Sequence, residues 1–233
     1  MFCSKCGASN TEDAKACTSC SFSFETKGVQ SDKAKEQVDK AKEQVKAAVT
    51  DAWATFKALG LDPVGGLLNA FQGLGKGRSL GVGVAFGVVF AFCLVISLYQ
   101  IPYFKYLPNV NSFGGFVKLL LVGTVPFVAL TASCIVGEKV GAGVAGIAGN
   151  SFISGVALLP LGAVFLIAAV VGVGNFEVIG TFAIIGVCIT ILVLFAGLTR
   201  IGGITEKIAS VLVPIMLIVS VWFTKIILIT IFS

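Results

Sequence analysis

The chain has 233 residues, of which 56% are hydrophobic and only 12% charged, with 28 glycines, no histidine and a mean hydropathy of +0.98. A soluble domain carries about twice that charge, so a soluble protein is excluded for most of the length. The net charge of +5 makes no dense basic field, which excludes a nucleic-acid partner.

Charge is also segregated: of 29 charged side chains, 20 precede Leu80. The chain reads as an all-α membrane protein with a zinc ribbon over 1–24, a charged helical connector over 25–59, an interfacial amphipathic segment over 60–79 and five transmembrane helices over 80–233. No cleavable signal peptide is expected, because four cysteines and several charges occupy the first 30 residues, where an apolar stretch is required.

The head carries two C-x-x-C knuckles, Cys3–Cys6 and Cys17–Cys20, separated by ten residues. Each knuckle turns tightly enough to aim both thiolates at one ion, and four thiolates satisfy the tetrahedral preference of zinc. Gly7 suits the turn after Cys6 because positive φ is cheap for glycine. So short a module cannot bury a sufficient core, and metal binding supplies its folding energy. Two disulfides, a redox dithiol or an iron site are the alternatives. One structural zinc ion held by Cys3, Cys6, Cys17 and Cys20 is the expected cofactor. It is not expected to be catalytic, since four protein ligands leave no open position. The stretch resembles the short zinc-ribbon modules at the N-terminus of many bacterial membrane proteins, matching their C-x-K-C-G pattern at Cys3, Lys5, Cys6 and Gly7. It departs from that pattern at Ser21, where a glycine usually follows the last cysteine.

In the connector, Ala34, Val38, Ala41, Val45, Ala48 and Ala52 form a narrow stripe at spacings of three and four, which predicts a helix capped at Ser31 or Asp32. Glu36–Lys40 and Asp39 with Lys42 or Lys46 would brace its exposed sides. A solvated spacer is favoured over a coiled-coil stalk because Ala and Val make a thin seam. Trp53 and Phe56 then bring large apolar groups to the membrane interface, and Lys76 and Arg78 would face anionic lipid. Asp62-Pro63 marks the start of a second short helix.

Crossing about 30 Å of hydrocarbon takes roughly 20 apolar residues, and runs near that length fall at 80–99, 115–136, 152–173, 178–198 and 208–231. The glycine-rich stretch at 140–150 is either interfacial or a tilted extension of the third span. A cytoplasmic head keeps its thiols reduced and puts Lys76, Arg78, Lys139, Arg200 and Lys207 on the cytoplasmic side of the cell membrane, opposite Lys105, Lys118 and Lys225. Gly83 and Gly87, with Gly137 and Gly141, are placed for helix packing inside the bundle, with homo-oligomer formation as the alternative. Pro126, Pro160 and Pro214 predict kinks.

The chemistry left out is informative. Without histidine there are no His triads or His-metal centres. Glu138, Glu177 and Glu206 fall at span ends and read as solvated loop charges, whereas a cation-coupled pathway would display an ionisable group at bilayer depth. Isolated Cys93, Cys134 and Cys188 read as apolar fillers. No catalytic residue is assigned and no enzyme is expected.

From about Gly60 onward the chain resembles bacterial members of the Yip family of Ypt/Rab-interacting membrane proteins. The residues carrying this are Leu61-Asp62-Pro63 through Leu67-Leu68-Asn69-Ala70-Phe71, the string Ala157-Leu158-Leu159-Pro160-Leu161, and Ala196-Gly197-Leu198 leading to Gly203-Ile204-Thr205-Glu206-Lys207-Ile208-Ala209. The Asp-Leu-Tyr-Gly-Pro element of eukaryotic members is only echoed at Asp62-Pro63-Val64-Gly65. The resemblance implies a five-helix domain with a cytoplasmic N-terminus and a non-catalytic role in membrane organisation or trafficking. The leading expectation is therefore an adaptor in the lipid bilayer, with a protein partner at its cytoplasmic head. A channel or transporter, and a zinc or redox sensor, are the competing readings.

Overall fold

The computed structural model of the protein describes residues 1–3, 5–11, 14, 16–22, 26–62, 65–99, 112–171 and 176–232. Among these, six helices follow in order: α1 (Thr26–Leu61), α2 (Gly66–Tyr99), α3 (Phe113–Val140), α4 (Gly146–Val171), α5 (Phe176–Arg200) and α6 (Glu206–Phe232). No strand occurs among the described residues. Helices α2 to α6 are each long and apolar enough to cross a membrane, as the five runs predict, and the chain is a multi-pass membrane protein. It divides into two compact units, Met1–Ala47 and Ala48–Ser233, with the boundary inside α1.

Helix α1 begins ahead of both proposed caps, which lie inside it. Ser and Asp are only mild helix breakers, so neither ends a helix that its neighbours extend. The side chains of the Ala34–Val38–Ala41 stripe and of Glu36, Asp39 and Lys40 lie outside the described residues, as do Lys105 and the loop at 172–175. At the other end of α1, Ala52, Thr55 and Leu59 are buried. The Asp62 carboxylate accepts the Gly65 N–H (2.7 Å) just before α2, the local bond that an aspartate at a helix start makes.

Helix α2 takes in part of the 60–79 segment and the whole first span, bending at Gly75 (φ 68°, ψ 169°). The bend lets the piece before it reach the start of α4: the Phe71 ring lies 5.7 Å from that of Phe152. Helices α3, α4 and α6 continue through Pro126, Pro160 and Pro214. The non-helical break in α2 falls at Gly75, whose backbone tolerates this conformation at little cost.

The core of the second unit is α4. Ten successive residues, Gly149 through Leu158, are buried, and a helix apolar and buried all round sits at a bundle's centre. Helix α2 runs parallel to α4 and touches it backbone to backbone. A Cβ on Gly83 would stand 2.5 Å from the Ser151 carbonyl oxygen, and one on Gly155 would collide with the Gly83 carbonyl. In lipid, where apolar burial gives helices no drive to associate, such close approach is what van der Waals packing needs. Helix α3 lies antiparallel to α2, with the Phe127 ring against Gly87 and the Ala91 backbone against Gly123. Helix α5 meets α4 through Ile153 on Gly197 and a bond from Thr190 Oγ1 to the Ala157 carbonyl (2.8 Å).

The turns α3–α4 and α5–α6 sit side by side, joined by the Val144 N–H donating to the Gly202 carbonyl (2.8 Å). This brings Lys139, Arg200 and Lys207 to one end of the bundle. The glycine-rich stretch divides here: Gly141 and Gly143 form the turn, while Gly146 and Gly149 open α4. Glu138 is no solvated loop charge. Its carboxylate accepts the Gly146 N–H (2.9 Å) and the side-chain amide of fully buried Asn150. The antiparallel return of α4 brings its unsatisfied N–H groups over the last turn of α3, a placement that linear spacing does not reveal.

Gly155→Val should break the α2–α4 contact and cost on the order of 1–3 kcal/mol. Gly180→Ala, at a helical site with open space around the added methyl, should gain about 0.5–1 kcal/mol. Unfolding of detergent-solubilised protein measures both, and equal effects at the two sites would contradict this packing.

Candidate metal centre

The first 22 residues fold as two copies of one local device. In the first, the Gly7 N–H donates to the Cys3 carbonyl (2.8 Å) and the Cys3 N–H to the Ala8 carbonyl (2.9 Å). In the second, the Ser21 N–H donates to the Cys17 carbonyl (2.9 Å) and the Cys17 N–H to the Phe22 carbonyl (2.8 Å). Both turns need positive φ after the second cysteine, 73° at Gly7 and 54° at Ser21. The departure from glycine at Ser21 therefore leaves the turn intact but strained, since a left-handed L-residue costs roughly 1–2 kcal/mol.

The two knuckles place the four sulfurs within 4.8 Å of one another, with Cys3 to Cys20 at 3.7 Å and Cys6 to Cys17 at 3.6 Å. A tetrahedron with metal–sulfur arms of about 2.3 Å has edges of about 3.8 Å, so the sulfurs are spaced to hold a metal ion. All four cysteines are free thiols, which removes the disulfide alternative for this arrangement. Cys3 and Cys17 are buried, Cys20 is partly so, and Cys6 is exposed.

The electrostatics divide the sulfurs. The Lys5 N–H donating to Cys3 leads the causes that hold that thiol below its ordinary value. Burial pushes Cys17 up, but N–H groups of Ser19 and Cys20 and the Asn10 amide outweigh it and bring the thiol down to about 6. The Ala8 N–H draws Cys6 down, yet the sulfurs of Cys20, Cys17 and Cys3 drive it up to about 12. Four sulfurs this close cannot all be anionic without a cation among them, and a divalent ion supplies that charge.

Asn10 is the positioning residue that spacing alone did not reveal. It is nearly buried, and its Oδ1 accepts the Thr18 N–H (2.9 Å) and hydroxyl (3.1 Å). Its Nδ2 donates to the Ala8 carbonyl (2.9 Å) and to Cys17 Sγ (3.5 Å). One side chain thereby ties the first knuckle to the second and steadies a ligand sulfur. Lys5, in the first knuckle, places its ammonium 5.9 Å from the Phe22 ring centre.

The other residues singled out lie in the second unit and form no common site with one another. Trp53 and Phe56 stack at 5.7 Å on an exposed face of α1, with the Lys57 ammonium 5.3 Å from the Trp53 ring. Arg78 pairs loosely with Asp51 (3.7 Å), and Lys76 is exposed. Gly83, Gly87, Gly137 and Gly141 face Ser151, Phe127, Met216 and Ile204 respectively. Cys93 and Cys134 are buried and Cys188 exposed.

Asn10→Ala should weaken metal retention by about 10–100-fold, the usual effect of losing an outer-shell partner. Ser21→Gly should stabilise the loaded head by roughly 0.5–1 kcal/mol, the relief of strain exceeding the added chain entropy. Protons compete with the metal for the sulfurs, so acidification should weaken metal retention. Competition with a chromophoric chelator reads all three, and a pH-independent affinity would refute thiolate ligation.

No protein-family model, no curated protein and no solved structure matches this chain.

Proposed function

We propose that the protein is a non-enzymatic adaptor of the cell membrane, in which a zinc-loaded cytoplasmic head offers a small rigid surface to a protein partner and the five helices anchor it in the bilayer. The observation carrying this reading is the four-sulfur tetrahedron. An ion held by all four thiolates would have no open position for a substrate, which supports a site that shapes a surface. Zinc is the metal that an all-thiolate tetrahedron of a reduced compartment favours. The grouping of Lys139, Arg200 and Lys207 at one bundle end supports a single cytoplasmic face, and the Yip-like layout from Gly60 onward supports a role in membrane organisation.

Purified protein should contain about one zinc per chain by elemental analysis, falling to background in Cys3→Ser and Cys17→Ser. Crosslinking in native membranes should capture a partner with the full chain and lose it when the first 30 residues are deleted. Reporter fusions to the amino end should be active on the cytoplasmic side. Movement of a defined solute into liposomes, abolished by a change within a span, would replace this reading with a transporter.

A further inference from the structure

Helix α6 is packed more closely along its first half, where Ala209, Val213 and Met216 are buried. In the stretch from Ile218 to Ile229, Ser220 is buried against Ser133 (3.5 Å) while most of the other described residues are exposed. Beside this half of α6 lies a cavity of about 460 Å³. Its walls come from four helices: Phe90 of α2, Leu130 of α3, Leu158 and Phe165 of α4, and Leu217 of α6. The size lies within the ~300–1,000 Å³ range of small-molecule sites, which pair an apolar lining with a few placed polar groups. Here the placed charge is Lys225, which lines the cavity and has no carboxylate partner among the described residues.

Depth decides what such a space can hold. At 1.5 Å per residue, Leu217 stands about 16 Å and Lys225 about 28 Å along α6 from Glu206. On α4, Leu158 and Phe165 stand about 18 and 28 Å from Gly146. Glu206 and Gly146 both adjoin the paired turns. With about 30 Å of hydrocarbon, the cavity runs from near the midplane to the surface remote from those turns, which is the depth of one leaflet. Lys225 lies where the headgroups of that leaflet would be.

We propose that this cavity is a lipid site that takes one acyl chain of an anionic phospholipid from the leaflet opposite the paired turns, with its headgroup held by Lys225. The carbon-lined wall solvates the chain, and the ammonium, which meets no carboxylate among the described residues, favours a net negative headgroup over a zwitterionic one. Two further apolar hollows, each about 310 Å³, lie between α3 and α6 and among α1, α2 and Leu159 of α4, and neither is lined by a charged residue. The proposal is independent of the metal head.

The test uses the full chain, reconstituted in vesicles of equal phosphatidylglycerol and phosphatidylcholine, extracted in mild detergent and weighed by native mass spectrometry. One retained phosphatidylglycerol is expected, at about fivefold preference. Lys225→Gln should remove the preference and Lys225→Arg should keep it. Lys118→Gln, which removes another cation of the same end that does not line the cavity, should leave it unchanged. Leu161→Trp, which fills the cavity, should lower retention of both lipids. The proposal is overturned by equal retention of the two lipids in wild type, by an unchanged preference in Lys225→Gln, by an equal loss in Lys118→Gln, or by a second copy of the chain in place of lipid. Should Leu161→Trp not fold, the lysine variants still decide.

Discussion

The second unit depends on the backbone contact between α2 and α4. Lipid is as apolar as a leucine side chain, so helices in it gain nothing from burying carbon and must instead gain dispersion by coming close. Gly83 and Gly155 meet with no side chain between them, and the rest of the bundle is arranged around that pair. Because α4 is pinned there, its flank is free for Ile153 to meet α5 at Gly197, while α3 fills the groove beside α2 with Phe127 against Gly87. Some polar groups within this packing are paired locally or across helices, as Ser154 shows with bonds to the Asn150 carbonyl (2.8 Å) and to Cys134 Sγ (3.4 Å), whereas Thr131 Oγ1 and Asn150 Oδ1 are buried without a partner among the described residues.

The head obeys a different rule. It has too few residues for a core, so its order comes from two turns that present sulfur and from the amide of Asn10 that couples them. Hydrogen bonds within the knuckles lower Cys3 and Cys17, while the neighbouring sulfurs raise Cys6. A cation among the four sulfurs would relieve that repulsion and so couple metal capture to folding. Ser21 shows how the two are balanced, with a small backbone strain accepted so that Cys20 can complete the tetrahedron.

Between anchoring and function stands the uneven packing of α6. Its first half is held by Ala209, Val213 and Met216, while its second half keeps Ser220 buried and otherwise borders the cavity. Such a helix leaves room for a lipid chain where a fully packed bundle would not.

Much was legible in the residues themselves. The four cysteines named their own site, because two-residue spacing within a knuckle is local geometry, and the five apolar runs named their helices, because a span must satisfy its backbone internally. What needed the tertiary structure was every relation between distant segments. Glu138 looked like a loop charge until the return of α4 set Gly146 and Asn150 beside it. Asn10 carries no signal in its spacing, and its role comes from the second knuckle folding back onto it. The break in α2 fell at Gly75, and the cavity beside α6 is walled by residues of four helices far apart in the sequence. Periodicity and spacing report what a chain does within a few residues, whereas packing and polar pairing are settled by which surfaces the fold brings together.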